Sequence, residues 1–293
     1  LVMPLILGSI RSIQNPVRMS YAYDVVGADQ AMMGIAGTSL GVRTGMIFGA
    51  LSAGTLAEVY GLSGSFALMA LAHIVAWAVI GSKGPTSTFQ VIDRDPILKN
   101  LAASFAELKT NQVLLALVLV TAVVEVFGTS FSTLVPILAD DRLSLGAEGI
   151  GWLFTAQAVG ALFAVIALFV CPPRKHQQLA YVFVIAGMGV VIMLLGWTDS
   201  LIGMLVILGL IAATISAWDV LTQSMMQLSV PEHLRGRAMG AWIFAIGSAP
   251  LGHFQIGLLA AAIGADWALY GNGALVIVTV VVALVLSPSL RRL

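Results

Sequence analysis

Residues 201–240 read LIGMLVILGLIAATISAWDVLTQSMMQLSVPEHLRGRAMG. The part from 201 to 228 is almost wholly apolar. A helix crossing the ~30 Å hydrocarbon core of a bilayer needs about 20 apolar residues, so this run is long enough to span. The segment after it is short, polar and basic, with Pro231, Glu232, His233, Arg235 and Arg237. Lys and Arg are retained on the cytoplasmic side of a membrane, so this end of the run is expected inside.

The same alternation extends in both directions. Apolar runs are expected to span at 1–22, 31–56, 62–82, 112–139, 148–171, 179–198, 201–228, 237–262 and 267–287. They are too long for strands and lack a period of two. Breaks carry turn chemistry, as at Gly84-Pro85, Pro172-Pro173 and Ser287-Pro288. Ten of the 14 Lys and Arg fall in alternate gaps or the tail. They are Lys83, Arg94, Lys99, Lys109, Arg174, Lys175, Arg235, Arg237, Arg291 and Arg292. The other gaps hold Arg142 alone, in an external loop expected at 140–147 with Asp140 and Asp141. The expected fold is an all-α integral membrane protein with nine transmembrane helices, its C-terminus cytoplasmic and its N-terminus outside.

Composition agrees. The chain of 293 residues is 59% hydrophobic and 10% charged, against about 25% charged in soluble domains. Its formal net charge of zero offers no nucleic-acid footprint. The single Cys171 allows no intrachain disulfide and no metal cluster, and as a free membrane cysteine it is expected to be a small packing residue. No Gly-x-x-x-x-Gly-Lys-Ser/Thr loop occurs, so an ion gradient, the proton's, is the expected energy source for any work the chain does; no cofactor and no metal are expected. The chain opens Leu1-Val2-Met3-Pro4 inside an apolar run, which reads as a chain whose beginning is absent.

Shifted by 206 residues, the run 31–56 falls on 237–262, placing Met33-Gly34 on Met239-Gly240 and Gly41 on Gly247. The first three runs then correspond to the last three, and 112–198 has no partner. Two parallel six-helix halves lacking the first three helices explain this, and parallel repeats are a transporter architecture. The expected organisation is three spans over 1–82, a cytoplasmic loop over 83–111 and a six-helix half over 112–293. Leu98, Leu101, Phe105 and Leu108 give the loop an amphipathic helix.

The stretch from Gln223 through Val230-Pro231-Glu232 to Arg235-Gly236-Arg237 resembles the loop between the tenth and eleventh helices of the major facilitator superfamily. More narrowly, it is similar to the enterobactin-exporter-like, multidrug efflux branch. Asn111-Gln112-Val113-Leu114 through Phe127-Gly128 and Leu134-Val135-Pro136 is similar to that branch's seventh helix, and Asn15-Pro16-Val17-Arg18 resembles its fourth. At the fifth-helix antiporter motif Gly45 and Gly49 remain, while Met46 stands where Pro is expected. The resemblance implies a twelve-helix fold of two pseudo-symmetric halves, here from the fourth helix to the twelfth. It also implies a monomeric secondary active exporter in the bacterial cytoplasmic membrane, moving a drug or siderophore by alternating access. The proton is the expected coupling ion, and Arg235, Gly236 and Arg237 are the expected cytoplasmic gate loop.

A charge at mid-bilayer costs about 3 kcal/mol on insertion scales, so each one calls for a reason. Arg11, Arg43, Glu125 and Asp219 lie near mid-depth of their runs. Arg11, Gln14, Asn15 and Arg18 form one polar stripe at helical spacing. Thr121, Glu125, Thr129 and Ser132 form a second, and Ser216, Asp219, Gln223 and Gln227 a third. Such stripes face each other or water. One reading is a substrate cavity lined by Arg11, Gln14, Asn15, Arg18, Arg43, Thr129, Trp218 and Gln223; the other is a set of buried ion pairs. Glu125, then Asp219, are the proton-coupling candidates, since a carboxyl group in a partly dry cavity can take up a proton on one side and release it on the other. A permanent salt bridge from Glu125 to Arg11 or Arg43 is the alternative. Gly41, Gly45 and Gly49 form a helix-packing stripe. His73 and His253 are expected to be hydrogen-bonded core residues. Trp152, Trp197, Trp242 and Trp267 suit interfacial belts. Scattered histidines and spans free of Lys argue against a membrane-embedded enzyme. A non-transporting sensor or scaffold of the same fold would tolerate neutralisation of Glu125, Arg43 and Asp219.

Overall fold

A computed structural model describes residues 31–82, 111–171, 173, 176–231 and 234–286; the side chains of 31–40, Arg43, 235–237 and 284–286 fall outside that description. The chain divides into two compact units, Leu1–Asp93 and Arg94–Leu293. The first contains α1 (Ala31–Tyr60) and α2 (Leu62–Ser82). Gly61 joins them at φ +70°, a conformation glycine adopts without a Cβ clash. Ser65 Oγ donates to Ala53 O at 2.7 Å across the pair.

The second unit runs α3 (Gln112–Phe127), a 3-10 turn (Ser130–Thr133), α4 (Val135–Leu143), α5 (Ala147–Val170), α6 (Gln177–Leu195), α7 (Leu201–Leu228), α8 (Arg235–Ile246), α9 (Ala249–Ile263) and α10 (Ala265–Leu286). Asn111 starts α3 by accepting the Leu114 N–H at 3.0 Å, and its amide donates to Ser229 O at 2.8 Å, tying the start of α3 to the end of α7. Ser200 caps α7 through the Gly203 N–H. Leu117, Val124, Ile185, Met188, Ile192, Leu208 and Ile211 form a fully buried core. Small residues bring the helices close. A Cβ on Gly160 of α5 would run into the backbone of Gly209 on α7, and one on Gly189 of α6 would meet Gly273 O of α10 at 2.5 Å.

The outer faces are as apolar as the core. Trp77 is 77% exposed, Phe169 87% and Ile202 76%, and α2 buries no residue. A monomer in water does not present such a surface; a membrane protein does. Seven helical stretches among the described residues have the length and hydropathy of spans: Leu62–Ser82, Gln112–Leu143, Ala147–Val170, Gln177–Leu195, Leu201–Leu228, Ala238–Ile263 and Ala265–Ala283. The expected first span, 1–22, and nearly all of the loop 83–111 lie outside the described residues.

Two expected spans are broken. In 112–139 the α-helix stops at Phe127, and a 3-10 turn precedes α4. Here Thr129, Ser130 and Ser132 turn their hydroxyls onto Glu125 O, Phe127 O and Thr129 O. Ser and Thr compete in this way for helix carbonyls, and Pro136, in the first turn of α4, carries no N–H to extend a helix backwards. In 237–262 the break falls at Gly247 and Ser248, with Pro250 in the first turn of α9. The 206-residue shift sets Thr44 opposite Pro250, and α1 runs through that position unbroken.

Three smaller expectations are corrected. Cys171 is exposed at the end of α5 and is not a packing residue. His73 and His253 do have partners, Met69 O and Thr133 Oγ1, but both sit on exposed faces. Asp140, Asp141 and Arg142 belong to the last turn and a half of α4, leaving only residues 144–146 as loop.

Arg142 is no free loop charge. Its guanidinium donates to Leu195 O at 3.2 Å, Gly196 O at 3.0 Å and Thr198 O at 2.6 Å. It also pairs with Asp266, in the first turn of α10, and approaches Asp199 at 3.6 Å. Cations belong at helix C-termini, where carbonyls lack intrahelical donors. The Asp199 side chain is 83% exposed, so that pair adds little; the carbonyls and Asp266 carry the weight. Arg142→Ala is expected to lower stability by about 1–3 kcal/mol, read as a lower melting temperature in detergent, with Arg142→Lys recovering only part because the three donors of an ammonium lack the planar fork that reaches three carbonyls and Asp266 together.

Candidate functional site

Glu125 sits on α3, thirteen residues from Gln112 and so about 20 Å along the helix at 1.5 Å per residue. Asp219 sits on α7, nine residues from Leu228, about 14 Å from that end. The chain runs in opposite senses along the two helices, so the two carboxylates come to comparable depth. Asp219 stands near enough to act electrostatically on Glu125. Glu125 is buried at 9% exposure, in a stripe with Leu114, Leu117, Thr121 and Val124.

Each carboxylate has a local partner. Thr129 Oγ1 donates to Glu125 O at 2.8 Å and lies 3.3 Å from Glu125 Oε2. This is the same back-bond, four residues along, that Thr121 and Thr222 make within their helices. Gln223 Nε2 donates to Asp219 Oδ1 at 3.1 Å, one turn along α7. The Gln223 amide is the closer donor to a carboxylate oxygen, at 3.1 Å against 3.3 Å, and the Thr129 hydroxyl sits nearer the backbone carbonyl, at 2.8 Å.

Of the expected stripe on α3, Thr121 is fully buried and bonded to Leu117 O at 2.7 Å, while Thr129 and Ser132 lie beyond the helix end. On α7, Ser216 is buried, Asp219 and Gln223 are half-buried, and Gln227 is exposed, near Met239 of α8. Trp218 is turned inward at 2% exposure. Arg11, Gln14, Asn15 and Arg18 lie outside the described residues, and of Arg43 only the helical backbone is described. Gly41, Gly45 and Gly49 have no described atom within 4 Å of where a Cβ would stand.

Arg235, Gly236 and Arg237 form the first turn of α8.

One polar cluster was not singled out from the sequence. Asn272 of α10, fully buried, donates to Ser130 Oγ at 3.0 Å and accepts from Gln255 Nε2 of α9 at 3.1 Å. Beside it, Ser248 Oγ donates to Ala122 O at 3.1 Å, and Gly252 lets α9 approach the backbone of Val126. The Gly247–Ser248 break thus lies beside Ala122 of α3, and the start of α9 runs along the last turns of that helix. The available signal was a lone amide in each of two apolar runs, since such amides seek one another in a bilayer.

A polytopic helical bundle with a lipid-facing apolar surface and a pair of carboxylates at membrane depth is a multi-pass membrane protein of the transporter class. The chain belongs to the Major Facilitator Superfamily, whose family model matches residues 1–252. No curated protein matches the chain.

Proposed function

We propose that this transporter is a proton-coupled exporter of small amphipathic molecules, drug-like or siderophore-like, working by alternating access. The observation that carries the reading is the pairing of Glu125 and Asp219 on two helices at comparable depth. Repulsion between two nearby carboxylates is relieved when one takes up a proton, so proton uptake and release changes the charge of the site as a whole. Glu125 is the exchanging group, and Asp219, held by Gln223, is the fixed anion. Thr129, Trp218, Gln223 and Arg43, with Arg11, Gln14, Asn15 and Arg18, are the proposed cavity residues, and Gly41, Gly45 and Gly49 the proposed packing stripe. Arg235, Gly236 and Arg237 form the proposed cytoplasmic gate loop. The nine expected spans are proposed as the fourth to twelfth of a twelve-helix plan in the enterobactin-exporter-like branch, split at 83–111. In liposomes carrying the complete protein, an imposed pH gradient should drive substrate movement, and an ionophore that collapses it should stop that movement. Movement that ignores the ionophore would remove proton coupling.

The proposed orientation, with the C-terminus in the cytoplasm of a bacterial cell, has its own test. Cys171 is exposed beside the basic gap that holds Arg174 and Lys175. A membrane-impermeant maleimide should modify the Cys171 peptide in inside-out vesicles and leave it unmodified in intact cells. The reverse pattern inverts the topology.

A further inference from the structure

His253 and Thr133 make a pair outside both the buried core and the Glu125 and Asp219 site. The Thr133 hydroxyl and His253 Nδ1 lie 2.9 Å apart, joining the 3-10 turn before α4 to α9. Two helices give the pair the same depth. His253 lies ten residues before Ile263, the end of α9, and Thr133 ten before Leu143, the end of α4, about 15 Å in each case at 1.5 Å per residue. That is half of the ~30 Å hydrocarbon core. A neutral imidazole carries one N–H and a threonine one O–H. Their mutual bond uses one of these two protons in either tautomer, so one donor is left over. Neither side chain has another partner among the described residues, and His253 is exposed. Gln255, two residues on, is by contrast spent on Asn272 at 3.1 Å.

A polar group turned to hydrocarbon without a partner costs several kcal/mol, so polar side chains at this depth face protein or a water-filled cavity. The surface around the pair is apolar and open. Leu251 and Phe254, which flank His253, are exposed, as is Ile137 beyond Thr133. Gly257 lies one turn along from His253 on the same face of α9. Where its Cβ would stand, no described atom lies within 4 Å, so the imidazole has room beside it. We propose that His253 and Thr133 contact the transported molecule, giving their spare proton to an acceptor oxygen on it, while the space at Gly257 takes part of its apolar frame. This contact, which rests on the export reading, adds the chemistry that is selected: amphipathic molecules bearing an acceptor oxygen, over apolar cations without one.

The test has two arms, both on the complete protein. The first needs no transport. In proteoliposomes and on a Cys171→Ser background, a water-soluble methanethiosulfonate should modify His253→Cys about tenfold faster or more than Leu275→Cys, because the reactive thiolate forms in water and not in hydrocarbon. Leu275 is exposed and lies ten residues into α10, at matching depth. Equal rates would set His253 in lipid or against protein and overturn the proposal. The second arm measures binding of rhodamine 6G, which carries an ester carbonyl, and of tetraphenylphosphonium, which carries no acceptor. His253→Phe should weaken rhodamine 6G about fivefold, the loss of one neutral hydrogen bond, and leave tetraphenylphosphonium unchanged. His253→Gln keeps a donor and should retain most of the affinity. An unchanged melting temperature, expected for an exposed residue, shows that His253→Phe is folded. Weakening of both probes alike, or of neither, overturns the proposal. Substrate movement that ignores the ionophore would remove proton coupling while leaving the results of both arms as they stand.

Discussion

Export driven by an imposed proton gradient should fall to the level of empty liposomes when Glu125 is replaced by Gln in the complete protein. The substitution keeps shape and volume. Thr129 keeps its 2.8 Å bond to the backbone carbonyl of residue 125, so the end of α3 is held as before. What disappears is the carboxylate's charge and with it the ability to exchange a proton. Exchange of substrate down its own gradient should persist, because it requires the cavity and the conformational change but no titration. Its dependence on pH should flatten at the same time. Melting temperature in detergent should not fall, since a buried negative charge close to Asp219 has been removed. Asp219→Asn should weaken coupling less, because Gln223 can still bond the amide oxygen. Gradient-driven export by Glu125→Gln at the native rate and pH dependence would show that Glu125 is structural.

The second large effect concerns folding. Gly160→Val should prevent the six-helix unit from assembling, or lower its stability by about 3 kcal/mol or more, at and beyond the usual range for overpacking. A Cβ at residue 160 would overlap the carbonyl, carbonyl carbon and Cα of Gly209. These are backbone atoms, so no rotamer change relieves the clash, and α5 and α7 would have to separate. Separation would strip Ala156 and Gly209 of their close approach, which in a bilayer is a main source of helix association. The internal control is Gly187. A Cβ there meets nothing within 4 Å, so Gly187→Ala should be neutral or slightly stabilising through helix propensity, while Gly189→Ala, two residues on, should destabilise. Equal behaviour of Gly187→Ala and Gly189→Ala in detergent melts would refute the close-packing account.

Where hydropathy was the deciding quantity, the sequence was sufficient. The expected runs 62–82 and 201–228 coincide with α2 and α7, and 31–56, 148–171, 179–198 and 267–287 differ from their helices by a few residues at the ends; 112–139 and 237–262 are broken, and 1–22 lies outside the described residues. Transfer into hydrocarbon is a property of a segment by itself, so it can be summed along the chain. Breaks were harder to see. The expected span 112–139 contains Thr129, Ser130, Ser132 and Pro136, each tolerable in a membrane helix taken singly. It is the combination that turns the backbone, with a 3-10 turn whose Ser130 is bonded by Asn272 across 142 residues. Likewise Arg142 looks in sequence like a stray external cation. Its role as a cap for α6 depends on Leu195, Gly196 and Thr198 arriving beside it.

The sequence by itself determined that this is a multi-pass helical membrane protein and where most helices run, and it marked Glu125 and Asp219 as residues needing a reason. Each of those follows from local solvation and local spacing. Only the tertiary structure decided that Asp219 stands within electrostatic reach of Glu125, and that Trp218 turns inward while Asp219 remains half-buried. The physical reason is directional: periodicity says which residues share a face of one helix, but which face meets which neighbour is set by packing between helices ~90 residues apart, chiefly by where glycines permit close approach.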